Sequence, residues 1–203
     1  MASTAKLILS DSELMFVRDK QFILAKQHII SVVFNMFSCL SENLQPVLKS
    51  GKVKLPEEML YAVPKIYKGE HYINFPYVMM DYPAVFSKKS IIAIRLMFWW
   101  SNFFSVTLHV SGTYKNEYEK RINKNIEQSN QELYVCVNDN QWQHHFEDNN
   151  YVLVSSKNAK EITSIFEKQS FLKIAIMFPL SDWKNMLTNL ENGSLKLMKL
   201  LAD

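Results

Sequence analysis

Two adjacent apolar runs, "IIAIRLMFWW" (91–100) and "FSVTLHVS" (104–111), constrain this chain more than any other feature. Each alternates, and side chains along a strand point to opposite faces in turn. Ile92, Ile94, Leu96, Phe98 and Trp100 share one face of the first run; Phe104, Val106, Leu108 and Val110 share one face of the second. That even-numbered face reads as core. The other face carries Arg95, Met97 and Trp99, then Ser105, Thr107 and His109. A hairpin must keep like faces together. A three-residue loop at 101–103 does so, and it sets Arg95 opposite His109 and Met97 opposite Thr107. Lys173, on the matching face of the run 171–178, joins them.

An unpaired buried cation is too costly to persist. Either Arg95 is covered by the N-terminal helix or a loop and paired with a carboxylate such as Asp81, or this face floors a pocket in which polar groups converge on a small polar or anionic ligand. The candidate site residues are Arg95, His109, Asp81, Trp99, Thr107 and Tyr77. Burial among apolar neighbours predicts an Arg95–Asp81 ion pair, with Tyr77 and Thr107 as neutral helpers. Asp81, two residues before Pro83, also reads as a turn-initiating residue. The enzymatic alternative uses His109 as acid or base, Asp81 as its partner and Arg95 as an anion clamp.

Around these runs the pattern is α+β. Ser10 and Glu13 have capping-box spacing, and Val33, Phe34, Phe37 and Leu40 lie on a helical stripe. They predict helix over about 12–46, broken near Arg18 and Asp19. A linker over 50–54 and a helical turn from Pro56 follow. Strands are expected at 72–80, 91–100, 104–111, 133–137, 151–155 and 171–178. Pro76 marks an edge strand or a bulge. Helices are expected at 115–131 and 159–168, and a closing helix is capped by Ser181 and interrupted at Gly193. The expected architecture is an antiparallel sheet with a long N-terminal helix and further helices on one face. It forms a single domain, with a helical part over 1–50 and the sheet with its helices over 60–203.

The absences exclude several function classes. The four glycines are isolated, so no P-loop, dinucleotide turn or GxSxG elbow is present. Two cysteines give neither a disulfide framework nor zinc spacing, and Cys136 reads as a small strand residue. His144 and His145 are adjacent and diverge rather than chelate, so "NDNQWQHHFEDNN" reads as a solvated loop with Trp142 as its anchor. No metal or other cofactor is expected. A net charge of +3 over 203 residues, with no basic stripe, speaks against nucleic acid as a partner. The remaining route to nucleic acid would be stacking on Trp99 and Trp142. No uninterrupted apolar run nears the ~20 residues that span a bilayer, and no signal-peptide pattern opens the chain. The expectation is a soluble, cytoplasmic protein without a membrane partner, of unspecified oligomeric state.

The run "PKIYKGEHYINFPYVMMDYP", with "IIAIRLMFWWSNFFSVTLHVSG" and "WQHHFEDNNY", resembles the pattern of a family of uncharacterised bacterial proteins over about Pro64 to Tyr151. The resemblance implies no activity. The reading that follows from the residues is a binding or interaction protein with a polar-aromatic pocket on one sheet face.

Overall fold

The computed structural model describes residues 7–51, 55–128 and 132–202. Helix α1 (Asp11–Arg18) opens on the expected capping box between Ser10 and Glu13. Asp19 then leaves helical geometry at ψ 97° and caps α2 (Lys20–Lys49), its carboxylate accepting from the backbone N–H groups of Gln21 and Phe22. The break expected near Arg18 and Asp19 is therefore one residue wide. Pro56 precedes the short helix α3 (Glu57–Leu60). The expected linker falls partly on residues 52–54, outside the described residues.

The sheet holds β1 (Lys65–Tyr72), β2 (Phe75–Phe86), β3 (Ile91–Trp99), β4 (Phe103–Ser111), β5 (Tyr134–Cys136), β6 (Tyr151–Leu153) and β7 (Phe171–Pro179). Their order is β1-β2-β3-β4-β7-β5-β6, and the paired strands run antiparallel. With α4 (Thr113–Glu127), α5 (Ala159–Lys168) and α6 (Met186–Lys199), the fold is the expected α+β arrangement.

Three local expectations are corrected, and of the two alternatives for Pro76 the bulge holds. The single strand at 72–80 is a hairpin, because Ile73 and Asn74 take positive φ (46° and 66°) and turn the chain in two residues; left-handed geometry at both positions suits the twist of the flanking strands. Pro76 is on an inner strand, opposite the register shift between Gly69 and Tyr72, so it belongs to a bulge and not to an edge. Asp81 initiates no turn, since β2 continues to Phe86. Gly193 does not interrupt α6: it is buried in the helix, and a Cβ there would lie 3.1 Å from the Phe178 ring, so it lets α6 approach β7.

The even-numbered face of β3 and β4 is the core face, as read from the sequence. Ile92, Ile94, Leu96, Phe104, Val106, Leu108 and Val110 pack against Val33, Phe37, Leu40 and Leu44 of α2 and against Leu190, Leu197 and Met198 of α6. Phe104 lies at the centre, its ring 4.8 Å from Phe98, 5.3 Å from Trp183 and 6.5 Å from Phe37. From Ile29 onward α2 presents one face to this core. Counted along the helix instead of as an uninterrupted run, α2 is long and apolar enough by length and composition to cross a bilayer, and 17% of its most apolar window is buried in the fold.

Truncation of Phe104 to alanine removes a large side chain from a fully buried position. Phe104→Ala is expected to lower stability by about 3–5 kcal/mol with an unchanged denaturant slope; urea unfolding followed by circular dichroism checks it.

Candidate functional site

The odd-numbered face of β3 and β4 is also buried, which an alternating half-buried hairpin would not require. Two devices produce this. The first is a bulge in β2: Asp81 pairs with Arg95 and Ala84 with Ala93, so Tyr82 and Pro83 together oppose Ile94. The extra residue reverses the alternation. Val85 thereby joins Met80 and Tyr82 on the helix side, and Phe86 comes within 5.8 Å of the Arg95 guanidinium. The second device is the polar segment 137–150, which lies over this face.

That segment is held by its own asparagines. Asn138 Oδ1 accepts from the Asn140 backbone N–H (2.8 Å) and Asn140 Oδ1 from that of Trp142 (2.9 Å), the local turns that Asn favours. Asn150, fully buried, donates to the carbonyl of His145. Tyr72 clamps the far side: its hydroxyl accepts from the backbone N–H groups of His144 (2.5 Å) and His145 (3.0 Å). The apolar anchor of the loop is Phe146, not Trp142. The Phe146 ring stacks on Tyr151 (4.6 Å, 14°) and meets Phe103 and Tyr134 edge-on. Trp142 stays half exposed, 5.6 Å from Arg95 and 5.7 Å from His109.

Beneath the loop the expected ion pair is present. Arg95 donates to Asp81 through Nε (2.7 Å to Oδ1) and Nη2 (3.0 Å to Oδ2), the two-pronged geometry that makes Arg–carboxylate pairs strong. Its neutral helper is Tyr67 of β1, whose hydroxyl donates to Asp81 Oδ2 (3.2 Å), and not Tyr77. Tyr77 lies toward the Trp99 end of the same face, edge-on to Tyr72 and against Gly69, where a Cβ would come within 2.5 Å of the Tyr77 ring. Burial disfavours the Arg95 charge, but Asp81's hydrogen bonds and negative charge outweigh it and the guanidinium's pKa is raised.

The hairpin register differs from the one expected by two residues. Trp99 pairs with Phe103 and the loop is 100–102, with Ser101 in left-handed geometry (φ 59°). A two-residue shift preserves the faces but changes the partners: Arg95 is opposite Thr107, and His109 is opposite Ala93 on one side and Lys173 on the other. Arg95 and His109 are therefore diagonal neighbours, not a cross-strand pair. His109 is 1% exposed, and its Nε2 meets Gln141 Oε1 at 2.9 Å. Burial, then Lys173 and Arg95, push its pKa down to about 3. The ring is neutral at ordinary pH, and its Nε2–H donates to the Gln141 carbonyl oxygen. Trp99 is buried too, its Nε1 donating to the Tyr72 carbonyl (3.1 Å), so it offers no open stacking face.

Lys173 is the residue whose weight the sequence understates. It is 2% exposed, donates to the Gln143 carbonyl and lies 5.3 Å above the Tyr151 ring. Among the described residues Asp81 is the one buried acid, and Arg95 takes both of its oxygens. Burial pushes the Lys173 ammonium down to about 8, with Cys136 opposing and Arg95 adding to the shift. Close by, the Tyr151 hydroxyl is fully enclosed, with the Thr107 side chain beside it. Its proton is held well above the ordinary tyrosine range, by burial first and by Cys136 next. The Cys136 thiol is itself pushed up by burial, against Lys173. Thus the structure gathers Arg95, Asp81, Thr107, His109 and Trp99 on one face, adds Tyr67, Lys173, Gln141 and Tyr151, and places Tyr77 at the margin. Among the described residues, no group of three or more His, Cys, Asp and Glu side chains is arranged to hold a metal ion.

Comparison of the chain with protein-family models, curated proteins and solved structures finds no match.

Two outcomes follow from the buried charges. Arg95→Met leaves Asp81 buried without its partner and is expected to lower stability by about 3–5 kcal/mol, part of which Asp81→Asn in the same chain recovers; chemical denaturation of both variants checks it. Lys173 gives an unusual pH dependence. Its folded pKa of about 8 is below its ordinary value of 10.5, so the unfolded chain binds the extra proton between these values. Stability therefore rises with pH, by about 2 kcal/mol between pH 8 and 10. Lys173→Met should abolish that rise in thermal or urea unfolding across this range.

Proposed function

We propose that this protein binds a small anionic ligand, of carboxylate or phosphate type, on the sheet face beneath the 137–150 loop. The observation that carries the reading is Lys173: a lysine 2% exposed, with no carboxylate partner among the described residues, beside an Arg95–Asp81 pair that is already neutral as a unit. A buried ammonium with one carbonyl acceptor leaves two of its three donors unused, and an anion would supply both the acceptors and the missing charge. The Tyr151 hydroxyl, enclosed beside Thr107, is a second donor for the same ligand.

The loop is the gate. Phe146 anchors it, and the rest of its hold on the sheet is polar and open to exchange by a ligand: Gln143 to Lys173, Gln141 to His109, and the Tyr72 hydroxyl to the backbone of His144 and His145. Trp142, half exposed above Arg95 and His109, is the part of the loop that a ligand would displace first. Binding has better support than proton transfer. Asp81 is occupied by Arg95 and Tyr67, and a histidine held near pKa 3 accepts a proton poorly at neutral pH.

Native mass spectrometry of protein purified from its own host should reveal a bound anionic molecule. In thermal unfolding at constant ionic strength, that anion at 100 times its Kd should stabilise the parent by about 2.7 kcal/mol and leave Lys173→Met unaffected. The absence of any bound species and of any stabilising anion would refute the proposal. So would stabilisation that persists in Lys173→Met.

A further inference from the structure

The other end of the chain poses a separate problem. From Leu7 to Leu24, α1 and the first turns of α2 form an arm that buries no side chain: α1 has no buried residue, and the first buried residue of α2 is Val33. Yet the arm is rich in apolar side chains. Leu7, Ile8, Met15, Phe16, Val17 and Leu24 are each more than half exposed, and Leu9, Phe22 and Ile23 nearly so. The runs 14–17 and 22–25 are each continuously apolar, so they cover every side of the helix. A helix apolar all round belongs in an enclosed place. The exposed apolar area is on the order of 1,000 Å², above the few hundred Å² of an ordinary monomer patch and near one partner's share of a standard interface.

We infer that the arm is a self-association element, and that two copies of this chain pair through it as a twofold dimer. A twofold axis through the elbow at Asp19 lays α1 of each copy along the start of α2 of the other, whatever the angle of the bend. Three features fit this occupant. The elbow is concave, lined by Ser12, Met15, Phe16, Arg18 and Asp19, and it receives an aromatic side chain of the second copy. The charges fit in one place: antiparallel pairing brings the Asp11 and Glu13 end of α1 alongside Lys26 of the other copy, whose ammonium otherwise meets the exposed Glu70 at 3.0 Å. The apolar surface also continues one turn further along α2, into a groove lined by Ile29, Phe98, Trp100, Leu180 and Trp183, which the Leu7–Leu9 segment of the second copy reaches.

A bilayer is the competing occupant, and the charges weigh against it. An interfacial helix carries an excess of Lys and Arg on its polar side. Here Asp11, Glu13 and Asp19 balance Arg18, Lys20 and Lys26, and a span through α2 would have to withdraw Val33, Phe37 and Leu40 from the sheet core.

Sedimentation equilibrium of the full chain tests the inference. The parent is expected to have twice the 23.8 kDa mass of one copy. Phe16→Asp and Leu24→Asp, each at an exposed position, should raise the dissociation constant about thirty-fold or more, with unchanged circular dichroism at 25 °C. A parent monomeric up to about 1 mM, or a dimer that neither variant weakens, would overturn it. Flotation with phosphatidylcholine–phosphatidylserine vesicles separates the rival: binding by a parent that is monomeric in solution, lost in Phe16→Asp, assigns the arm to a membrane surface and also overturns the dimer.

Discussion

A guanidinium inside a protein must bring its acceptors with it, and the Arg95–Asp81 pair is the constraint around which the second face of this sheet is built. The pair sets the β2–β3 register, since the two residues are direct cross-strand partners. It requires β2 to run through Asp81 without turning, and it draws the Tyr67 hydroxyl of β1 onto the same carboxylate. It also explains why this face is covered. A pair left in water would contribute little. Enclosed by Phe86, Trp142 and the loop, its two short hydrogen bonds gain strength from the lower local dielectric.

The two faces of the sheet follow different physical rules. On the helix side, burial is non-directional, and α2, α4, α5 and α6 cover an apolar surface that tolerates repacking. On the loop side, each element of cover is tied by a directed bond: Asn138 and Asn140 shape the turns, Tyr72 holds two backbone amides, and Gln141 and Gln143 reach His109 and Lys173. Beside these bonds the loop has one apolar anchor, Phe146, which packs on Phe103, Tyr134 and Tyr151.

How much of this was legible in the sequence depended on periodicity. The core face of β3 and β4, the capping box at Ser10, the stripe on α2 and the break beside Arg18 all carry repeating or capping signals, and the structure has them. The Arg95–Asp81 pair was legible because both charges interrupt apolar runs. The Ile73–Asn74 turn was not: isoleucine in left-handed geometry contradicts its own preference, so the run read as one strand. The loop 137–150 has no period at all, and its cover of the sheet depends on Phe146 and the asparagine turns. The hairpin slipped by two residues because alternation fixes faces and not partners, so His109 was matched to Arg95 instead of to Lys173. Lys173 itself was assigned to the correct face, but the lack of a carboxylate beside it among the described residues needed three dimensions to see.

Arg95, His109 and Lys173 share a buried compartment in which burial first, and the charges of Lys173 and Arg95 next, keep the histidine neutral. Nitrogen-15 NMR of the histidine side chains tests it most directly. His109 is expected in the Nε2–H form, neutral as pH is lowered through 6.5 and titrating only as pH approaches about 3. A His109 ring that titrates near 6.5, at the ordinary value for imidazole, would show that water reaches this face and would contradict the account.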